Sequence, residues 1–395
     1  MASDEQFEQL LSRDDVARAR RWIEDHDAPT LALQQRIAAI PAPTFAEGAR
    51  ARFVAERLRA AGVPDVRSDA AGNVHARLGG GRGVGVVIAS HLDTVFAADT
   101  DLTPRASGPR VTLPGIGDNA RGLAAMLTMA EAFVRCDVAL GTPITFVATV
   151  AEEGHGDLRG ARALFDDPGF HPSAFIALDG PGLARVVHRA LGTRRVRATF
   201  RGPGGHSWAA FGTANPAHAA GLAAAAVHGL DLPSEPRAAA SVVRLGGGTG
   251  LNSIPTEAWL ELDMRAEDES VLADVHRRVS EAFTRATQEV NRRRTSGTAP
   301  VEVEVTPLGS RPSGITDEHH PLVRAALAAT RAVGGKPHLA AASTDANVAI
   351  SRGVPGIALG AGGTGGDAHK VTEWYENDGG PAGIVRCLLV ALAAG

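Results

Sequence analysis

The sequence is poor in aromatic residues and cysteine and has no long apolar run, and each shortage excludes a class of protein. Aromatic residues make up 4% of the 395 residues, so a core has to be built on aliphatic side chains. The two cysteines, Cys136 and Cys387, are too few for a disulfide framework and lack metal-site spacing. The apolar runs at 221–230 and 387–395 are too short to span a bilayer. We therefore expect neither a membrane protein nor a disulfide scaffold.

The sequence also lacks a surplus of positive charge. Its formal net charge is -4 at pH 7, which argues against nucleic acid as a partner because binding a phosphate backbone needs a basic face. Residues 1–5 are acidic and lack the basic and apolar regions of a secretion signal. The content of 44% hydrophobic and 21% charged residues is ordinary for a globular protein. These features predict a cytoplasmic protein with no nucleic-acid or membrane partner.

The first half of the chain alternates between predicted helices and predicted strands. The helices cover 5–25, 30–40, 46–61, 119–135 and 158–165, and the strands cover 74–78, 84–90, 144–150 and 174–178. The run at 84–90 is almost continuously apolar, which is typical of a strand covered on both faces. Alternating strands and helices indicate an α/β fold, so we predict a mixed sheet flanked by helices.

The pattern changes after Gly182. Here the predicted order is a strand at 194–201, a helix from 215, strands at 241–245 and 257–264, and a helix at 270–293. This order describes a small α+β unit of the size of an independent domain. A strand at 301–305 then resumes the first pattern. We therefore predict a catalytic domain in two parts, 1–183 and 300–395, with an inserted α+β domain at 184–299.

Several metal-competent side chains come where predicted strands end. They are His91, Asp93, Glu152, Glu153 and Asp179. Ligands collect at the carboxyl ends of the strands in such sheets. The adjacent carboxylates of Glu152 and Glu153 repel each other unless a cation is near, and one of them can bind a metal while the other acts as a general base. Taken singly, each residue fits an ordinary polar loop equally well or better.

Two further residues extend this set. Asp118 lies between glycines in the segment 115–122, at the start of a predicted helix, where its two oxygens can reach two different metal ions. His369 follows the glycine-rich segment 362–366. Alone, His369 is more often a structural turn residue than a ligand. Two histidines and three or four carboxylates together suit a pair of zinc-type ions about 3.5–4 Å apart.

Motifs along nearly the whole chain resemble the M20 metallopeptidase family. They are SHLDTV at 90–95, GDN at 117–119, AEEG at 151–154, LDG at 178–180, GGHS at 204–207, NSIP at 252–255 and the closing His369. That family includes tripeptide aminopeptidases, dipeptidases, glutamate-releasing carboxypeptidases, aminoacylases and deacylases. The segments 156–160 and 179–180 look nearest to the tripeptidase-like branch. The resemblance implies a zinc-exopeptidase-like catalytic domain, an inserted lid and dimerisation domain, and a homodimer formed through that insertion.

The resemblance also implies which residues hold the metals. One ion would be held by His91, Asp118 and Asp179, and the other by Asp118, Glu153 and His369. Asp118 would bridge the ions, with a cis peptide bond to Asn119. The ions would be zinc, with cobalt or manganese as alternatives that suit similar ligands.

The remaining assignments concern catalysis and the substrate. By the resemblance, Glu152 deprotonates the water that bridges the metals, Asp93 holds the ring of His91, and His206 supports the oxyanion. Asn252 and Arg265 match positions that bind substrate carboxylate or carbonyl groups. From the residues alone, His206 fits an ordinary loop histidine, and Arg265 fits a salt bridge within 263–265 about as well as a substrate clamp.

We therefore expect a hydrolase of peptide or amide bonds in small substrates, most similar to tripeptidases and dipeptidases. An amidohydrolase of N-acyl or N-carbamoyl amino acids is the alternative, and a non-catalytic metal-binding protein is a more remote one. Two other motifs are discounted. GHSWA at 205–209 resembles a serine-hydrolase elbow, but 202–204 separates it from the preceding strand. GAGGTG at 360–365 fits a dinucleotide-binding pattern but lacks a convincing helix after it.

Overall fold

The computed structural model describes residues 4–81 and 83–395. The first three residues of the acidic N-terminal segment lie outside these ranges. Within the ranges, no helix combines the length and the apolar character needed to cross a bilayer. The chain forms two compact units, one made of Met1–Ala190 with Ile315–Gly395 and the other of Leu191–Gly314.

Most of the segments predicted to be helical are helices in the structure. In chain order they are α1 Asp4–Leu11, α2 Asp14–Asp25, α3 Asp27–Ala38, α4 Gly48–Ala60, α5 Ala120–Arg135, α6 Arg159–Asp166, α7 Pro216–His228, α8 Glu269–Arg292, α9 Pro321–Ala332, α10 Ala346–Ser351 and α11 Gly380–Ala394. A short 3-10 helix covers Gly154–Gly156. The predicted helix 5–25 is two helices, because the extended backbone of Arg13, with φ at -69° and ψ at 132°, interrupts the helix between α1 and α2.

The strands are more numerous than predicted. They are β1 Arg67–Ser68, β2 Val74–Leu78, β3 Val86–His91, β4 Arg105–Ser107, β5 Arg110–Thr112, β6 Ile144–Thr149, β7 Ala174–Leu178, β8 Arg185–Ala190, β9 Gly192–Arg201, β10 Gly205–His206, β11 Ala238–Gly247, β12 Ser253–Ile254, β13 Glu257–Ala266, β14 Glu302–Arg311, β15 Gly314–Ile315, β16 His338–Ala342, β17 Gly356–Leu359, β18 Thr364–Gly366 and β19 Trp374–Glu376. Strands of two or three residues carry too little periodicity to be predicted from sequence.

The larger unit is built on a mixed sheet, as predicted. Its order is β1-β2-β6-β3-β7-β17-β8-β15, with β16 paired to β8. The central strands β6, β3, β7 and β17 are parallel, whereas β2 pairs antiparallel with β6. Alternate residues of β3 belong to different apolar clusters, Val86 and Ile88 to one and Val87 and Ala89 to another. The strand is therefore covered on both faces, which confirms the fold class.

The smaller unit is an antiparallel sheet with two helices. Its strand order is β11-β13-β9-β14, and α7 and α8 pack against it. The domain limits differ from the predicted 184–299. Residues 185–190 form β8 of the large sheet, and the predicted strand at 301 does not resume the first pattern but belongs to β14, which pairs with β9. Strand pairing of this kind links distant segments, so local sequence patterns do not reveal it.

Candidate metal centre

His91 is the last residue of β3 and lies at the carboxyl edge of the large sheet. It is 3% exposed. Its Nε2 lies 3.0 Å from Asp118 Oδ1 and 3.9 Å from Asp179 Oδ1. Its Nδ1 lies 3.1 Å from the carbonyl oxygen of Asp93 and 3.5 Å from Asp93 Oδ1. One ring nitrogen thus faces two carboxylates, and the other is held by Asp93.

His369 approaches the same aspartate from a distant part of the chain. Its backbone is left-handed, with φ at 68°. Its Nε2 lies 2.9 Å from Glu153 Oε1 and 3.1 Å from Asp118 Oδ2. Asp118 therefore lies between two imidazole rings, with Oδ1 near His91 and Oδ2 near His369.

The electrostatics of this cluster follow from its crowded carboxylates. Burial lowers the pKa of His91, but the neighbouring Asp118, Asp179 and Asp93 raise it well above its usual value. Asp118 and Glu153 raise the pKa of His369 to about 10. Burial raises the pKa of Asp118, but the rings of His91 and His369 have the larger combined effect and hold this pKa well below its usual range. The cluster attracts positive charge strongly.

The same residues fit a divalent metal ion. Asp118 Oδ1 is buried and accepts no hydrogen bond, although the Nε2 of His91 lies 3.0 Å from it. One ligand atom each from His91, Asp118 and Glu153 lie within 4.8 Å of one another. Imidazole nitrogens and carboxylate oxygens are ligands that zinc and similar ions accept. A cation would satisfy this buried carboxylate oxygen, which accepts no hydrogen bond.

Asp93 is fully buried and has more partners than the sequence analysis assigned to it. Its Oδ1 accepts from the backbone N–H of Glu152 at 2.9 Å, and its Oδ2 accepts from that of Glu153 at 3.0 Å. The hydroxyl of Thr44 also donates to Oδ2. Burial raises the pKa of Asp93, but contact with His91 and the backbone N–H groups holds it below its usual value. Asp93 therefore positions both His91 and the Glu152–Glu153 backbone.

The turn before the two glutamates is held by a residue that the sequence analysis missed. Glu47 is 4% exposed, and its Oε1 accepts from the backbone N–H groups of Ala151 and Phe45, both at 2.9 Å. Ala151 is left-handed, with φ at 52°. Glu152 itself is 4% exposed. Glu47 and Asp93 together bind the N–H groups of residues 151, 152 and 153, which sets the direction of this turn.

The loop that carries Asp118 is held in a similar way, by Glu373. This residue is 2% exposed and was also missed. Its Oε1 accepts from the backbone N–H groups of Gly117 and Asp118 at 2.8 Å, and its Oε2 accepts from that of Gly115 at 2.9 Å. Burial is the main cause that raises the pKa of Glu373 to about 7. A glutamate in an ordinary polar segment gives no local sign of such a role.

Asn119 joins the loops of Asp118 and Asp179. The peptide bond between Asp118 and Asn119 is cis, as the family resemblance implied. The Asn119 amide donates to the Leu178 carbonyl at 2.8 Å and accepts from the Gly180 N–H at 3.2 Å. Asp179, which lies between these two residues, is thereby held near the carboxyl end of β7.

The other three predicted residues belong to the smaller unit. His206 lies in β10, and its Nδ1 accepts from the N–H groups of Trp208 and Ala209, both at 3.3 Å. In a neutral ring with this arrangement the proton is on Nε2. The backbone carbonyl of Asn252 accepts from the Ser207 N–H at 2.8 Å. Arg265 pairs with Asp263 at 2.9 Å, the contact that its salt-bridge interpretation predicted.

Neither of the two discounted motifs has the structure that its alternative function requires. The segment after Ser207 is a turn, and the next helix, α7, begins only at Pro216. A nucleophile elbow needs a strand that turns directly into a helix. The segment 360–365 leads into β18 and then β19 rather than into a helix. A dinucleotide-binding loop needs that helix.

Structural comparisons agree with this architecture. A tripeptidase from Staphylococcus aureus subsp. aureus Mu50 is 21% identical with a TM-score of 0.78, covering 93% of this chain and 98% of that one. Aminopeptidase PepT from Bacillus cereus ATCC 10987 is 20% identical with a TM-score of 0.74, covering 93% and 98%. An amidase of the hydantoinase/carbamoylase family from Burkholderia vietnamiensis is 19% identical with a TM-score of 0.69, covering 93% and 97%. No curated protein matches the chain by sequence.

Histidines and carboxylates converge at the carboxyl edge of this mixed sheet, an arrangement that suits a metal-dependent hydrolase. The sequence profile of Peptidase family M20/M25/M40 matches residues 87–392. The chain belongs to this family, which confirms the resemblance found in the sequence.

Proposed function

We propose that the protein is a two-metal hydrolase that cleaves a peptide or amide bond in a small substrate, as tripeptidases and dipeptidases do. The observation that carries this proposal is the position of Asp118, whose two oxygens face two different imidazole rings. A carboxylate placed in this way is suited to bridge two ions. His91 and Asp179 would complete one ligand set, and Glu153 and His369 the other.

The metals and the protein have separate tasks in this proposal. Zinc ions, or cobalt or manganese in their place, supply Lewis acidity toward a carbonyl oxygen and toward water. Glu152 accepts the proton of the attacking water and later donates it to the leaving nitrogen. Its backbone N–H is bound by Asp93, which limits the directions that the side chain can take. Asp93 also orients the ring of His91 through Nδ1.

The smaller unit would supply the contacts to the substrate. His206 would donate from Nε2 to the developing oxyanion, a role supported by the two N–H groups that occupy its Nδ1. Asn252 would bind a substrate carbonyl or carboxylate. Arg265 would do the same. Its guanidinium would then either release Asp263 or bind Asp263 and the substrate together.

A homodimer formed through the smaller unit is part of the proposal. Strand β11 is at an edge of its sheet, and its side chains Val243 and Leu245 are 56% and 70% exposed. Exposed apolar side chains on an edge strand favour pairing with a second copy. Light scattering on the purified protein tests the dimer, and cell fractionation tests the cytoplasmic location.

The substrate is tested by a screen of the metal-loaded protein. We expect cleavage of tripeptides or dipeptides with a free amino end. The amidase from Burkholderia vietnamiensis has a fold about as similar as those of the two peptidases, so N-acyl and N-carbamoyl amino acids belong in the same screen. Cleavage of these compounds alone would establish the amidohydrolase alternative. A protein that binds two metals yet cleaves none of them would be a non-catalytic metal-binding protein.

A further inference from the structure

We propose that Glu373 is a positioning residue of the metal centre, which holds the Asp118 loop so that Asp118 can face both histidines. The inference rests on the proposed function, because it assumes that Asp118 binds metal. Glu373 itself does not reach the ligand atoms through its carboxylate. Its partners are the backbone N–H groups of Gly115, Gly117 and Asp118.

The geometry requires a carboxylate at this position. Oε1 accepts two N–H groups and Oε2 accepts the third, so all three donors converge on two acceptor oxygens. A glutamine has only one acceptor oxygen, and its NH₂ group would face at least one N–H. The backbone carbonyl of residue 373 accepts a further bond, from Leu113 N at 2.9 Å. Glu373 therefore binds four N–H groups of the segment 113–118.

Glu373 also connects the Asp118 loop to the turn that carries His369. It lies four positions after His369, and its own N–H donates to the Lys370 carbonyl at 2.9 Å. The Asp367 carboxylate braces the same turn, because it accepts from Lys370 Nζ at 2.8 Å and from Thr372 Oγ1 at 3.1 Å. One short turn thus carries a proposed metal ligand and the residue that holds the bridging aspartate.

The charge of the Glu373 carboxylate favours metal binding at Asp118, as the geometry of its hydrogen bonds does. The Glu373 carboxylate is 2% exposed and directly bonded to the backbone of Asp118, so two carboxylates share a poorly solvated region. Two negative charges in such a region are unfavourable unless a cation is near. A cation bound by Asp118 relieves this repulsion. Glu373 is therefore expected to raise the affinity for a divalent ion as well as to align its ligand.

The test compares Glu373→Gln with Glu376→Gln. Glu376 lies three positions after Glu373, at the end of β19, and its carboxylate is 3.6 Å from Arg110 rather than on the Asp118 loop. The affinity of each metal-free protein for Zn²⁺ is measured by competition with a chromogenic chelator. Co²⁺ is titrated in parallel, since its visible spectrum depends on coordination geometry. Thermal unfolding of the metal-free proteins reports whether each variant is folded.

We expect Glu373→Gln to weaken Zn²⁺ binding by about 10–100-fold and to change the Co²⁺ spectrum, as loss of an outer-shell partner does. Glu376→Gln should bind as the wild type does. A folded Glu373→Gln protein with wild-type affinity and spectrum would overturn the inference. A wild-type protein that binds no metal would instead overturn the proposed function.

A second variant covers the case in which Glu373→Gln does not fold. Glu373→Asp keeps the charge and both acceptor oxygens but is one methylene shorter, so it cannot reach all three N–H groups. We expect weaker Zn²⁺ binding than in the wild type, though stronger than in Glu373→Gln where both fold. Wild-type affinity in Glu373→Asp would show that the reach of the side chain is unimportant and would overturn the inference.

Discussion

Asp118 Oδ2 lies 3.1 Å from the Nε2 of His369, although the two residues are 251 positions apart. The other oxygen of Asp118 lies 3.0 Å from His91. The aspartate thus connects the strand end at β3 with the turn before β19. Each of the two proposed metal sites depends on this one side chain.

Replacing Asp118 should therefore affect both metal sites together. Asp118→Asn keeps the size of the side chain but loses its charge, and one of its two oxygens becomes an NH₂ group that cannot bind a cation. We expect the affinity for Zn²⁺ to fall by more than the about 10–100-fold typical of an outer-shell change. Metal content after dialysis, measured by mass spectrometry, gives the result. Retention of two ions per chain would show that Asp118 does not bridge them.

Metal binding should depend on pH through His369. Asp118 and Glu153 raise the pKa of His369 to about 10, so the ring of the metal-free protein is protonated at pH 7. A metal can bind only to the neutral ring, so binding must release this proton. Affinity for Zn²⁺ should rise with pH as long as the pH is below that pKa. Calorimetric titration at pH 7 in two buffers of different ionisation enthalpy measures the protons released, and a value of zero would contradict the assignment.

The sequence predicts the parts of this site that depend on local pattern. The apolar runs of β3, β6 and β7 mark buried strands, and the polar residues that follow them lie at the carboxyl edge of the sheet. His91 and Glu153 were found in this way. Asp118 was predicted because a carboxylate between glycines at the start of a helix can offer its two oxygens to two metal ions.

The residues that hold these proposed ligands were not predictable, because their partners are distant in sequence. Glu373 binds the N–H of Asp118 across 255 positions, and Glu47 binds that of Ala151 across 104. A buried glutamate has the same local sequence pattern as an exposed one. The end of the inserted domain was misplaced for the same physical reason, since β14 joins its sheet by pairing with β9, about a hundred residues earlier.

Removal of the proposed general base should separate catalysis from metal binding. Glu152→Ala is expected to retain both metals and to lower kcat by about 10²–10⁴-fold, the usual contribution of acid–base catalysis. Both quantities are measured on the same preparation, with the best substrate of the screen. Glu376→Gln serves as the control for removal of a carboxylate elsewhere in the larger unit. Wild-type kcat in Glu152→Ala would show that another group is the base.

Glu47 offers a test of stability that does not depend on metal. The N–H groups of Phe45 and Ala151 both donate to its Oε1, so the single carbonyl oxygen of a glutamine can accept them. Glu47→Ala leaves the buried Ala151 N–H without its acceptor and should lower the free energy of unfolding by about 1–3 kcal/mol. Glu47→Gln should lose less. Urea unfolding of the metal-free proteins measures both, and equal losses would show that the charge rather than the acceptor oxygen matters.

His206 should affect the transition state rather than the metals. Its Nδ1 accepts two backbone N–H groups, so the neutral ring presents a donor at Nε2. Loss of one oxyanion donor typically lowers kcat by about 10²–10³-fold, and we expect a fall of this size in His206→Ala with unchanged metal content. His218→Ala is a matched control, since His218 is exposed on α7 of the same unit. If kcat falls equally in both variants, or in neither, His206 does not stabilise the oxyanion.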